Sequence, residues 1–275
     1  MTRRVPPTFL IFGVLGGLLL ASFVLPIINL FVEADWSSWA ASLQEQGAKE
    51  ALAVSALSSA IAVVIMTLLG VPLGYLLARG RLPFTRFWIG LVFLPMVVPD
   101  LAGGILLLQT FGPYGTIGHL LGAWNLELTN NLAGIVLAQL FVSAPFVVVS
   151  ALAAFAGIDP KLEMAAATLG DSQWHIFWRI SLPLAWPGIA AGITLAWIRA
   201  LGEFGATLVV AYNPHALPVY MWVKFESNGL TGALPVAFLL VFLAGGAVAI
   251  SALLSRLSGY RDTSAVLGDT YGRPT

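Results

Sequence analysis

Residues 159–183 read Asp-Pro-Lys-Leu-Glu-Met-Ala-Ala-Ala-Thr-Leu-Gly-Asp-Ser-Gln-Trp-His-Ile-Phe-Trp-Arg-Ile-Ser-Leu-Pro. Asp159 is a good N-cap, and Pro160 suits the first helical position, where its missing N–H has no helical partner to lose. Good helix formers follow until Gly170, which can take the left-handed conformation that ends a helix. Asp171 or Ser172 then caps a second short helix, so the stretch is expected to be two short helices joined at a glycine. Ala165, Ala166 and Ala167 leave a low ridge on the first helix, suited to insertion into a groove of another protein. Trp174, Ile176, Phe177 and Trp178 suit the second helix equally to a membrane surface.

On either side of this stretch the chain turns apolar. Six stretches, about 8–31, 51–78, 87–111, 132–156, 181–211 and 233–255, each supply the ~20 mostly apolar residues that cross ~30 Å of hydrocarbon. Of the 275 residues, 59% are hydrophobic and 9% charged, against about 25% charged in a soluble domain. A soluble fold could not cover its surface with so few charges, so lipid is the expected solvent. The fold class is an all-α integral membrane protein of six transmembrane helices. The net charge is +0, which asks for no nucleic-acid partner. The absence of cysteine excludes disulfides and thiolate metal sites.

Residues 1–50 are read as a retained, signal-anchor-like span and an outer loop. The apolar run after Arg3 and Arg4 exceeds the ~7–15-residue core of a signal peptide. Residues 51–256 form the transmembrane domain, and 257–275 a polar tail. With the N-terminus inside, the inner segments carry Arg3, Arg4, Arg79, Arg81, Arg86, Lys161, Arg179, Arg256, Arg261 and Arg273. The outer ones carry only Lys49 and Lys224, beside Glu33, Asp35, Glu45, Glu50, Glu127 and Glu226. The positive-inside rule then predicts both termini in the cytoplasm. The third span is interrupted by Pro95, Pro99, Gly103 and Gly104, and the fifth by Gly202 and Gly205. Such breaks survive in lipid only where protein or a water-filled path satisfies the freed backbone. The two spans either line a pore or are simply kinked and closely packed by small residues.

The stretch 159–183 resembles the EAA loop of binding-protein-dependent ATP-binding cassette importers: Glu-Ala-Ala, three residues, Gly, nine residues, Ile-x-Leu-Pro. Ala165, Ala166, Gly170, Ile180, Leu182 and Pro183 stand at the matching spacing, while Met164 occupies the glutamate position and Glu163 precedes it. The resemblance implies the type I importer permease fold. It also implies that loop 159–179 is a coupling helix seated on an ATPase subunit, with Glu163, Met164, Ala165, Ala166, Leu169, Gly170, Asp171, Leu182 and Pro183 as its coupling residues. Arg199-Ala-Leu-Gly-Glu-Phe-Gly-Ala-Thr207 and Ala211-Tyr-Asn-Pro214 look like the fifth span of molybdate, tungstate and sulfate permeases. Phe225-Glu-Ser-Asn-Gly-Leu and Pro235-Val-Ala lean towards the molybdate/tungstate branch, and Leu94-Pro95…Pro99 is similar to the same group. Asp100 stands where that group would place a small or apolar residue.

The implied assembly is a homodimer of permease chains with two ATPase subunits and an extracytoplasmic oxyanion-binding protein, in the inner membrane of a prokaryote. ATP and magnesium would be held by the ATPase, and this chain would carry no cofactor and no enzymatic activity. A sulfate or thiosulfate permease is the alternative.

Asp100, Arg199 and Glu203 fall inside spans, where each costs about 2.5–3.5 kcal/mol unless paired or hydrated. Arg199 and Glu203 are i, i+4 and are expected to pair. That pair either fixes the fifth helix or sits at the gate, where Arg199 would also attract an oxyanion briefly. The candidate path and gate residues are Pro99, Asp100, Arg199, Glu203, Phe204 and Gly205. No phosphate-binding loop occurs. His119, His175 and His215 are isolated, without zinc-ligand spacing. An ion-driven secondary transporter would want an inverted repeat and a midplane ion site, and an intramembrane hydrolase a nucleophile–base pair. The sequence offers none of these.

Overall fold

The computed structural model describes residues 7–32 and 35–257. Arg3, Arg4, Glu33, Arg261, Arg273 and the rest of the polar tail beyond residue 257 lie outside the described residues. The described chain is helical, with no strand. In order it forms α1 (Pro7–Val32), α2 (Trp36–Gln44), α3 (Gln46–Ala78), α4 (Thr85–Val97), α5 (Asp100–Phe111), α6 (Thr116–Gly122), α7 (Leu132–Ala156), α8 (Pro160–Thr168), α9 (Gln173–Ile176), a π-turn (Phe177–Ser181), α10 (Leu182–Leu201), α11 (Gly205–Val210) and α12 (Leu217–Leu257). Five helices are long and apolar enough to cross a membrane, or six if the bent pair α4–α5 counts as one span.

The core is the bundle of α3, α7 and α10, where Met66, Val147, Phe155, Ile189 and Ala196 are fully or almost fully buried. Glycines four apart let the backbones approach. A Cβ on Gly74 of α3 would lie 2.6 Å from the Ala151 side chain, and one on Gly188 of α10 would lie 2.8 Å from Ala154. Gly70 meets Val147 and Gly192 meets Ser150 in the same way, so α7 is gripped from both sides by a Gly-x-x-x-Gly face. None of the apolar window of α1 is buried within the chain. It joins the rest through Phe31, whose ring meets Phe238 edge-on at 5.5 Å.

The break expected in the third span is present, and two boundaries differ from the sequence reading. The third span is two helices bent by 112°. The bend falls at Val98, whose φ −71, ψ 127 is the extended conformation favoured before a proline. Gln173 to Leu201 is one continuous helix, so no separate second short helix precedes the fifth span. Pro183 lacks an N–H and its ring would strike the carbonyl of Arg179 in α-helical register. The chain instead widens over 177–181, where Leu182 N–H donates five residues back to Phe177 O. α12 begins at Leu217, within the expected outer loop, and a break at Gly229 (φ 66, ψ −157) separates those turns from the expected sixth span. Leu217 and Tyr220 pack on Ala48 and Ala51, which holds its first turns helical despite their polar residues. Lys224 and Glu226 therefore lie on a helix rather than in a loop, and Lys224 pairs with Glu45.

Candidate functional site

The ridge 160–168 forms as its caps predict. The Asp159 carboxylate accepts from Lys161 N–H at 2.9 Å. At the other end Gly170 has φ +90. Its N–H donates to Ala167 O at 3.1 Å, and Asp171 N–H to Ala166 O at 3.2 Å. This pair of bonds is a Schellman closure. Ser172, not Asp171, caps the next helix, accepting from His175 N–H. Leu162, Met164 and Leu169 are exposed, Leu169 by 87%. Ala165, Gly170 and Asp171 are exposed as well, while Ala166 turns inward. Leu182 is half-buried and Pro183 exposed at the start of α10.

Glu163 departs from the expectation that it faces a partner. It is 8% exposed, and its carboxylate binds Arg79 through Nη2 at 2.7 Å and Nε at 3.0 and 3.1 Å. Ser181 Oγ donates to it at 2.6 Å and Tyr75 Oη at 3.3 Å. Arg79 also donates to Phe155 O at 3.0 Å, a carbonyl at the end of α7 that accepts from Ile158 N–H as well. One buried network thus ties the exposed ridge to the ends of α3 and α7 and to the π-turn below α10. Burial alone would push the Glu163 carboxyl up. The hydrogen bonds and charge of Arg79, with Ser181 and Tyr75, outweigh it and hold the group below the usual carboxylate range. Arg79, Tyr75 and Ser181 were missed from sequence.

The second cluster lies where the two broken spans meet. Arg199 is in the last turn of α10 and Asp100 in the first turn of α5. At 1.5 Å per residue, Arg199 is about 26 Å along the axis from Leu182. Nη2 of Arg199 donates to both Asp100 oxygens at 2.7 Å. The expected Arg199–Glu203 pair does not form. Gly202 ends α10 at Leu201, so i, i+4 spacing no longer places the two side chains on one face. Glu203 is 1% exposed. It accepts from Ala206 N–H at 2.8 Å and Thr207 N–H at 2.9 Å, and from the Thr207 hydroxyl.

The break is satisfied within the protein. Gly202 N–H donates to Ile198 O at 3.1 Å. Gln139 Nε2 donates to Ala200 O at 3.1 Å, and Glu203 takes the free N–H groups of α11. Gly205 allows α11 to lie on α5, since a Cβ there would sit 2.8 Å from that of Asp100. Phe204 lies against Trp222, ring centroids 5.7 Å apart. Pro99 is exposed at the start of α5. Gln139, a buried amide in an otherwise apolar span, was a legible signal that went unused.

A profile of the family described as "Binding-protein-dependent transport system inner membrane component" matches residues 70–260. A probable molybdenum ABC transporter permease protein of Haloferax volcanii is 41% identical over 90% of this chain and 91% of its own. A molybdate/tungstate transport system permease protein of Thermococcus kodakarensis is 38% identical over 87% of this chain and 92% of its own. A sulfate transport system permease protein of a Synechocystis species is 28% identical over 94% of this chain and 98% of its own. Among solved structures, a chain of a bacterial alginate ABC transporter in complex with its periplasmic protein superposes with a TM-score of 0.65 at 19% identity, covering 90% of this chain and 94% of that one.

Proposed function

The chain belongs to the binding-protein-dependent transport system inner membrane components, and from that membership we propose that it is the pore-forming subunit of an ATP-driven importer of molybdate and tungstate. The observation that carries the coupling role is the ridge 160–168. It is capped at both ends, exposed at Met164, Ala165 and the C-cap Leu169 that follows it, and bound from behind by Arg79 and Ser181. A helix held this rigidly transmits a push on its outer face to α3 and α10 instead of absorbing it. The ridge faces the cytoplasm with both termini, and it seats in a groove of an ATPase subunit that binds ATP and magnesium. An ATPase dimer offers two such grooves and the chain one ridge, so the permease is a homodimer. An extracytoplasmic binding protein selects the oxyanion and delivers it.

ATP-driven closure of the ATPase dimer draws the two ridges together. The breaks at Val98–Pro99 and at Gly202 are where α4–α5 and α10–α11 can hinge, and the backbone groups freed at Gly202 stay satisfied inside the protein. Molybdate and tungstate are favoured over sulfate by the relatives at 41% and 38% identity against the sulfate permease at 28%. The test is uptake into proteoliposomes holding the permease, its ATPase and its binding protein. ATP-dependent accumulation of molybdate or tungstate, uncompeted by excess sulfate, is expected. Uptake driven by an ion gradient without ATP would overturn the importer reading, and sulfate competition would move the substrate to the sulfate branch.

A further inference from the structure

Asp100 and Arg199 form an ion pair in the membrane-spanning part, yet their side chains remain 39% and 30% exposed. The other buried-span polar groups are treated differently. Glu203 and Gln139 are 1% and 2% exposed, and each is bonded into the backbone of the broken fifth span. The pair also uses little of the guanidinium, because a single nitrogen, Nη2, meets both carboxylate oxygens. Among the described residues no acceptor meets Nε or Nη1 of Arg199, so three of the five N–H donors of the planar fork remain open. A charged fork with open donors, held half-exposed at the junction of two hinged spans, has the chemistry to receive a second oxyanion alongside or in place of the carboxylate.

The surrounding charge decides how long such an anion stays. Asp100 is the carboxylate that meets this guanidinium, while the Glu203 carboxylate is taken up by the N–H groups of α11. A lone arginine in low dielectric would hold a dianion and block turnover. An adjacent carboxylate on α5 competes with the dianion for the same donors and repels it once the pair re-forms.

We infer that Asp100 is a displaceable counter-ion, occupying Arg199 while the path is closed, exchanging with a tetrahedral oxyanion during passage and then expelling it. The inference rests on the importer reading above and adds to it a transient anion site with its own release group.

The test compares wild type, Asp100→Asn and the neutral pair Asp100→Asn/Arg199→Gln in two assays. One is equilibrium binding of isotope-labelled molybdate to the purified permease–ATPase complex without binding protein. The other is maximal ATP-driven uptake with binding protein. Asp100→Asn is expected to bind molybdate about fivefold more tightly, the upper end for a partly exposed charge pair, and to transport more slowly. The neutral pair is expected to bind less molybdate than wild type and to transport faster than Asp100→Asn.

Binding by Asp100→Asn within about twofold of wild type, or a neutral pair no faster than Asp100→Asn, overturns the inference. If Asp100→Asn does not assemble, the neutral pair is judged against wild type alone, and equality in both assays makes the ion pair structural and overturns the inference. Wild type that accumulates no oxyanion with ATP removes the importer reading itself, a result distinguishable from failure of the variants alone.

Discussion

Glu163 and Arg79 stand 84 positions apart in sequence and 2.7 Å apart in space. Their side chains are 10% and 8% exposed, so the pair is a buried one whose breakage leaves an uncompensated charge. Glu163→Gln is expected to cost about 3–5 kcal/mol, read as a lower melting temperature of the purified permease. Replacing both partners, Arg79→Met with Glu163→Leu, is expected to recover much of that loss. The pH dependence follows from the direction of the shift. Burial raises the carboxyl, but Arg79, Ser181 and Tyr75 bring it below its unfolded value. The stabilisation is therefore complete above the ordinary carboxylate pKa and disappears as pH falls through the depressed folded value. The gap in melting temperature between wild type and Glu163→Gln is expected to be constant from about pH 6 to 8 and to narrow below about pH 4.

Gly170 takes φ +90, and a Cβ added there meets nothing within 4 Å. The whole penalty of a side chain at this position is thus in the backbone, about 1–2 kcal/mol. Gly170→Val is expected to open the Schellman closure and to lower uptake and co-purification with the ATPase together, with Gly170→Asn milder. Normal uptake and normal co-purification of Gly170→Val would refute the docking role.

Leu169 is 87% exposed on the same ridge. Leu169→Asp is expected to leave the permease melting temperature almost unchanged, within about 0.5 kcal/mol. If the ridge seats in an ATPase groove, the same change removes about 2 kcal/mol or more of association, read by titration of the ATPase against the permease in detergent. Unaltered association would move the interface elsewhere.

Glu203 supplies acceptors to two buried N–H groups. Glu203→Leu leaves both unpaired, at about 1–3 kcal/mol each, whereas Glu203→Gln keeps one acceptor and is expected to be milder. A double-mutant cycle on melting temperature is expected to find a larger coupling for Arg199 with Asp100 than for Arg199 with Glu203. The reverse order would restore the i, i+4 pair.

What was legible in the sequence was what local chemistry decides. Asp159, Pro160 and Gly170 act on backbone groups within a few residues, so the ridge and its ends could be read directly. The Arg199–Asp100 and Glu163–Arg79 pairs could not, because their partners lie 99 and 84 positions away. The i, i+4 rule misled at Arg199 because it presumes an unbroken helix, and Gly202 ends α10 first. Hydropathy ran smoothly through 87–111, and it was Pro95 and Pro99 that marked the break, though not its angle of 112°. It also gave no sign of the helical turns of α12 before Gly229, where burial of Leu217 and Tyr220 against α3 outweighs the polar character of Lys224, Glu226 and Asn228.

The π-turn at Phe177–Ser181 sets a phase relation. Each helical residue turns the chain by about 100°, so the one residue of slack in this turn fixes the azimuth at which α9 and the π-turn meet α8 relative to the wall that α10 presents to α7. Deleting one residue there would return the segment to α-helical pitch and swing everything before it around the axis, taking Ser181 away from Glu163. The number of residues between Ser172 and Leu182, more than their identity, keeps ridge and span in step, like the tooth count of meshed gears.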